Sequence, residues 1–313
     1  MEISSKRVAV FLLPVLLSAC ATLPQDGSVQ VPDGYPKQAQ IADVPFFEQE
    51  AYQCGPATLA MVLGHLKQPQ PIERLVDMVY SPDRQGSLQP FMVAGVRRLG
   101  LIAYPVKGFS NLIKELSAGN PVIILQNNGL SWLPRWHYAV ATGYSEPDQI
   151  ITLHSGALEN YRIDWVRLYH TWKHSKLWGL VIVKPGDLPA SAESQPLFLA
   201  TASLEQAGFP EQAMTAYKAL LQHWPNHLES SLAVANLYYH QGNLAKSRDW
   251  LLRAVESHPD SPVANNNLAQ VLLELGHLMQ ALEHARAAVK LGGPFAETAR
   301  QTLNEISEAV NHE

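Results

Sequence analysis

The chain has 313 residues, of which 47% are hydrophobic and 16% charged, with a formal net charge of −5. This composition is too apolar for a disordered chain, and the acidic balance argues against a nucleic-acid-binding protein, which needs a basic face. The length predicts two domains, and the only cysteines, Cys20 and Cys54, are too few for a disulfide scaffold or a cysteine-only metal site.

The N-terminus has the pattern of a secretion signal. Basic Lys6 and Arg7 precede residues 8–18, a run of eleven without a charge. Because a bilayer span needs about 20 apolar residues, this run is too short for a transmembrane helix. The sequence therefore predicts export, with residues 1–19 as the signal peptide.

The end of this signal, residues 17–20 (Leu-Ser-Ala-Cys), resembles the lipobox of bacterial lipoproteins. The resemblance implies that Cys20 carries the lipid, palmitate included, and becomes the first residue of the mature chain. It also implies a membrane anchor in the bacterial cell envelope, and Ala21 after the cysteine favours the outer membrane, facing the periplasm. An ordinary signal that ends in an incidental cysteine is the alternative.

Residues 20–43 form a predicted flexible tether, because prolines and glycines interrupt a polar stretch. A domain then spans 44–185, and its first helix is predicted over 54–66 from apolar residues at helical spacing. A second helix begins near Ser110 and stops at Gly119.

Strands dominate the rest of this domain. Short apolar or alternating runs predict them over 121–125, 137–144, 149–153 and 177–183, with a hairpin turn at 145–148. Helices first and sequential strands afterwards indicate an α+β domain.

After a linker at 186–193 the sequence repeats. Gly208, Gly242 and Gly276 are spaced by 34 residues each, and Pro225 and Pro259 keep the same interval. This period resembles the tetratricopeptide repeat. Three repeats are predicted over 194–295, followed by a capping helix over 296–313.

Cys54 has no partner cysteine for an internal disulfide in the mature chain. It stands at the predicted N-terminus of the helix over 54–66, where the helix dipole favours an anion, so a lowered thiol pKa is expected. Gly55 is expected to leave room for a substrate backbone beside the sulfur, and Pro56 suits a first helical turn.

The segment Gln49-x4-Cys54-Gly-Pro-Ala57, followed by His137-Tyr-Ala-Val-Ala-Thr-Gly-Tyr144, resembles the C39-like cysteine peptidases. The resemblance covers about 44–184 and implies a papain-like α+β fold, here followed by an all-α tetratricopeptide-repeat solenoid. With the lipobox and the repeats, the whole chain resembles the PA2778-type peptidases.

The resemblance implies acyl transfer to a thiol. Cys54 attacks a peptide carbonyl, His137 accepts the thiol proton and later protonates the leaving amine, and Gln49 donates to the oxyanion. The family usually has Asp or Asn at the end of the strand after the histidine. Here His154 or Ser155 occupies that place, and His154 is the expected orienting residue, which leaves the third member open.

Two other functions stay possible: an inactive C39-like adaptor that binds peptides, which the missing carboxylate favours, and a papain-like acyl transferase. The predicted partners are a peptide or protein substrate, a protein bound by the repeats and a membrane through Cys20, with no nucleic acid. No cofactor and no metal is predicted.

Overall fold

The computed structural model describes residues 30–48 and 53–312. The predictions on Cys20 and Gln49 concern residues outside these ranges.

An antiparallel sheet forms the centre of the first domain. Its strands follow the order β4-β9-β5-β6-β7-β8, and β1 pairs with the end of β6. The strands are β1 Gln38–Gln40, β4 Ile102–Lys107, β5 Val122–Asn127, β6 Trp136–Ser145, β7 Ile150–Ser155, β8 Leu158–Asp164 and β9 Trp178–Val183, and a separate hairpin joins β2 Tyr80–Ser81 to β3 Gly86–Ser87.

Helices pack against this sheet. They are α1 Cys54–His65, α2 Ile72–Val79, α3 Gln89–Arg97, α4 Gly108–Ser117 and α5 Trp165–Trp172. Helix α1 is buried from Gly55 to Leu63 and contacts the central strand β6. The strongly apolar α1 is thus fixed against the sheet, and its first residue, Cys54, lies at the edge of the core.

The sequence predicted α1, α4, β5, β6, β7 and β9 within a few residues, so the α+β prediction is confirmed. It missed both strands at the edges of the sheet. Strand β4 contains Pro105, which argues against a central strand but is tolerated at an edge. Strand β8 is largely exposed and lacks an apolar alternation.

Six helices in antiparallel pairs follow, and a seventh covers the last pair. They are α6 Ser194–Gln206, α7 Pro210–His223, α8 Leu228–His240, α9 Leu244–Ser257, α10 Pro262–Glu274, α11 Leu278–Leu291 and α12 Ala296–Asn311. Gly208, Gly242 and Gly276 each follow the first helix of a pair with positive φ, a conformation that favours glycine. The predicted repeat solenoid is confirmed.

The first repeat shares its core with the first domain. Leu197 and Leu204 of α6 belong to the same buried cluster as the sheet, and α6 contacts β4. Between them, the fully buried Glu115 of α4 accepts hydrogen bonds from the backbone N–H groups of Ala190 and Ser191 and from the Ser191 hydroxyl. The predicted linker is therefore fixed at this end by a buried carboxylate.

In the described part of the chain, every helix is too short or too polar to cross a membrane.

Candidate active site

Cys54 is the first residue of α1, as predicted, and its thiol lies beside β6. The backbone N–H groups of Tyr138, Gly55 and Cys54 itself interact favourably with the thiolate. Tyr138 directly follows His137 in β6, so the helix start and the strand bring the predicted nucleophile and base to one place.

The prediction of a lowered thiol pKa is wrong. Burial raises the pKa of Cys54 above its ordinary value and outweighs the three backbone N–H groups that lower it. The helix N-terminus is present, but the surrounding protein removes water that would solvate the anion. The resting thiol is therefore protonated at neutral pH.

His137 lies near the start of β6, opposite Gln126 of β5, and is partly buried. Burial lowers the pKa of His137 below its ordinary value, since the charged imidazolium loses solvation. At neutral pH the ring is uncharged and has a nitrogen that can accept a proton. The thiol and the imidazole are thus both uncharged at rest.

The hydroxyl of Ser155 is the group that holds His137. Its Oγ lies 2.9 Å from His137 Nε2, which leaves Nδ1 as the nitrogen for the thiol proton. With Nδ1 as acceptor, Nε2 carries the hydrogen and donates it to Ser155.

His154 does not orient His137, and that expectation is corrected. Its Nε2 lies 3.2 Å from the carbonyl oxygen of Val44, and its Nδ1 accepts from the Asn160 backbone N–H. The register explains the difference. Val140 pairs with His154, so both lie on one face of the sheet, whereas His137 is three residues from Val140 and lies on the other face.

Gly55 does not face a substrate, contrary to the prediction. A Cβ atom at this position would lie 2.3 Å from Ser87 Oγ and 3.1 Å from Met92 Sδ, so the glycine lets β3 and α3 pack closely against α1. The Tyr138 hydroxyl donates to the Ser87 carbonyl and joins the same hairpin to β6. The β2–β3 hairpin is therefore one wall of the site.

Cys54 and His137 open into a cleft of about 1190 Å³. Most of its other lining residues belong to three chain segments. They are the β2–β3 hairpin with the start of α3 at 84–89, the end of the β5–β6 loop with the first residue of β6 at 134–136, and the turn at 174–176 after α5. Leu125 of β5 and Gly156 also line the cleft. These segments are distant in sequence and meet only in the folded domain.

The β5–β6 loop is built around Asn127, which is buried. Its Oδ1 accepts hydrogen bonds from the backbone N–H groups of Gly129 and Arg135, at 2.9 and 2.8 Å, and its Nδ2 donates to the Leu130 carbonyl. Residues Leu130, Trp132, Leu133 and Trp136 of this segment are all at least half exposed. The loop thus presents apolar side chains beside the cleft from a defined backbone.

Residues 41–176 match the family model described as "Peptidase_C39 like family". The first domain is C39-like. Residues 203–262 and 250–283 match two models described as "Tetratricopeptide repeat". The predicted combination of a C39-like domain and tetratricopeptide repeats is confirmed. Among curated proteins, none matches the chain by sequence.

Solved structures similar to part of the chain include three helical-repeat proteins. The first tetratricopeptide-repeat domain of Spaghetti (RPAP3), bound to an HSP90 peptide, is 18% identical over 38% of this chain and 95% of its own, with a TM-score of 0.35. MamA is 17% identical over 38% of this chain and 69% of its own, with a TM-score of 0.35. The type III secretion translocator chaperone SycD of Yersinia enterocolitica is 18% identical over 39% of this chain and 90% of its own, with a TM-score of 0.36.

Proposed function

We propose that the C39-like domain is a cysteine peptidase with Cys54 as nucleophile and His137 as general base. The observation that carries the proposal is the convergence of the two residues on one cleft, with the Ser155 hydroxyl on Nε2 of the imidazole. A thiol, a neutral base within the same cleft and a group that orients the base are the parts that nucleophilic acyl transfer requires.

The reaction begins with both side chains neutral. His137 Nδ1 accepts the thiol proton while the Cys54 sulfur attacks the peptide carbonyl carbon, which gives a tetrahedral intermediate and an imidazolium. When the C–N bond breaks, the imidazolium protonates the leaving amine and a thioester remains. Water, deprotonated by His137, then hydrolyses the thioester and restores the thiol.

The oxyanion of the intermediate needs hydrogen-bond donors. We propose the backbone N–H of Cys54, in the first turn of α1, and the side-chain amide of Gln49, five residues upstream. First-turn N–H groups have no partner within the helix, which makes them suitable donors.

The full chain is expected to cleave peptides in a mixed-sequence fluorogenic library, and Cys54→Ala is expected to abolish cleavage. With one good substrate, rapid acid quenching followed by mass spectrometry is expected to find an acyl group on Cys54. Cys54→Ser serves as the steric control, because its hydroxyl has nearly the same size and is a far weaker nucleophile. Cleavage that survives in Cys54→Ala would exclude Cys54 as the nucleophile.

The same experiment separates the two other functions. A C39-like adaptor would bind the library peptides without releasing products. The serine in place of the usual carboxylate partner of the histidine favours this second candidate. An acyl transferase would form the acyl group on Cys54 but give a product only when a primary amine acceptor is added.

We further propose that the protein is lipid-anchored to the bacterial envelope, facing the periplasm, and that the repeats recruit a protein or peptide partner. The lipobox-like residues 17–20 and the repeat matches support these proposals. Cells grown with labelled palmitate are expected to label the wild-type protein but not Cys20→Ser. Equal labelling of the two proteins would contradict lipidation at Cys20.

A further inference from the structure

The charged side chains among the described residues that line the cleft are all positive. Of the 17 described residues that line it, the residues with a formal charge at pH 7 are Arg84, Arg135 and Lys176, and none of the 17 is Asp or Glu. The chain as a whole has an excess of acidic residues, with a net charge of −5. The positive charge of the cleft is therefore a local property that the average composition does not explain.

Within the described ranges, none of these three cations forms an ion pair. All three are exposed, and among the described residues no carboxylate lies within ion-pair distance of any of them. Three arginines outside the cleft, Arg162, Arg248 and Arg300, do pair with a nearby acid. The cleft cations thus keep their charge available for a ligand.

The cations come from three separate segments that meet at this cavity. Arg84 ends the turn at 82–84 that leads into β3, and Lys176 follows the turn at 173–175 after α5. The backbone of Arg135 is held by buried Asn127, 2.8 Å from the amide oxygen. Because these backbones are fixed, less ordering is needed when a ligand binds.

Apolar side chains share the same walls. Leu88, Leu125 and Trp136 line the cleft together with the cations, and Leu88 and Trp136 are 43% and 50% exposed. A ligand that satisfies this lining combines negative charge with a bulky apolar group.

We propose that the cleft selects acidic peptides, which combine Glu or Asp side chains with a bulky apolar residue near the bond that Cys54 attacks. This inference rests on the proposed peptidase function, since it names the substrate class of the same site. An anionic membrane surface would also attract three cations, but it cannot enter a concave cleft of about 1190 Å³ that has the thiol among its lining residues.

The test compares two fluorogenic peptides that are identical apart from two Glu flanking a central Leu in one and two Gln in the other. Hydrolysis is measured with the full-length protein, and binding of both peptides is measured with full-length Cys54→Ala, which needs no catalysis. The triple variant Arg84→Gln/Arg135→Gln/Lys176→Gln removes the cleft charges. The control Lys107→Gln/Arg286→Gln/Lys290→Gln removes three exposed cations that are not among the cleft-lining residues.

The acidic peptide is expected to have a kcat/KM about 4- to 9-fold above that of the Gln peptide, since each of its two Glu side chains forms one exposed ion pair that contributes a factor of about two to three. The triple variant is expected to lose this preference, whereas the control keeps it. Added salt should reduce the preference in the wild type, because exposed charges are screened.

The outcomes distinguish the inference from the function on which it rests. Equal kcat/KM for both peptides, or a preference that survives in the triple variant, would overturn the inference and leave the peptidase proposal intact. A binding preference in Cys54→Ala without any cleavage by the wild type would support the inference and contradict the peptidase. Binding to anionic phospholipid vesicles that falls in the triple variant, with no peptide preference, would also overturn the inference.

Discussion

Replacement of His137 by alanine is expected to lower kcat/KM for peptide hydrolysis by about 10²- to 10⁴-fold, the usual contribution of a general base. The reason is the neutral resting state. Burial raises the pKa of the Cys54 thiol, so the sulfur keeps its proton until the imidazole removes it during attack. Without His137 the thiol loses the base that accepts this proton.

The pH dependence of the wild type follows from the same shifts. The base must be neutral, and burial lowers the pKa of His137, so kcat/KM should be lost only as the pH falls below about 6.5, the ordinary imidazole value. The thiol must start protonated, and burial raises its pKa, so the alkaline loss should lie above the ordinary thiol value of about 8.5. Activity is therefore expected to have a broad maximum between these limits.

Alkylation by iodoacetamide measures the thiol without any substrate. The alkylation rate of the free protein is expected to be low at pH 5–6 and to rise above pH 8.5. Alkylation is measured in His137→Ala as well, and His174→Ala is the matched control for that variant, because His174 lines the same cleft and is exposed. Alkylation as fast at pH 5 as at pH 8 would indicate a preformed thiolate–imidazolium pair and contradict the uncharged resting thiol and imidazole.

The pKa of the Cys54 thiol is a property that the local sequence pattern does not predict. The segment around Cys54 correctly predicted a helix that begins at the cysteine, and the helix dipole argument follows from that position alone. The dominant effect comes instead from burial of the thiol in the folded domain, which outweighs the backbone N–H groups, that of Tyr138 included, that lower the pKa. A local pattern fixes the helix, but it does not determine how much water the folded domain removes.

The orienting residue illustrates a second limit. The strand 149–153 was predicted from its apolar pattern, and the strand extends to Ser155 in the structure. Choosing between His154 and Ser155 requires the register against β6, because adjacent residues in a strand face opposite sides. That register depends on pairing between strands, which the sequence pattern does not specify to a single residue.

Ser155→Ala is expected to lower kcat/KM about 5-fold with a smaller change in KM. The substitution removes the hydrogen bond to His137 Nε2, at 2.9 Å, that keeps the hydrogen on this nitrogen and leaves Nδ1 for the thiol. One neutral hydrogen bond contributes about 1 kcal/mol, which corresponds to roughly this factor in rate. Ser155→Thr keeps the hydroxyl and suits a strand, so it is expected to retain most of the activity.

A shift of the pH profile distinguishes positioning of His137 from a purely structural role of Ser155. In Ser155→Asp a carboxylate replaces the hydroxyl beside the imidazole, and an adjacent negative charge favours the imidazolium. The pKa of His137 should therefore rise, and the acid limb of kcat/KM should move to higher pH than in the wild type.

His154→Ala is the matched comparison from the neighbouring residue. It removes buried hydrogen bonds to Val44 and Asn160, so it is expected to lower the free energy of unfolding by about 2 kcal/mol while the acid limb stays in place. If His154→Ala moved the acid limb and the Ser155 variants did not, His154 would be the orienting residue, against the observed register. If substitutions at neither 154 nor 155 moved the acid limb of kcat/KM, His137 would act without a side-chain partner from β7, and Cys54 and His137 would form a dyad.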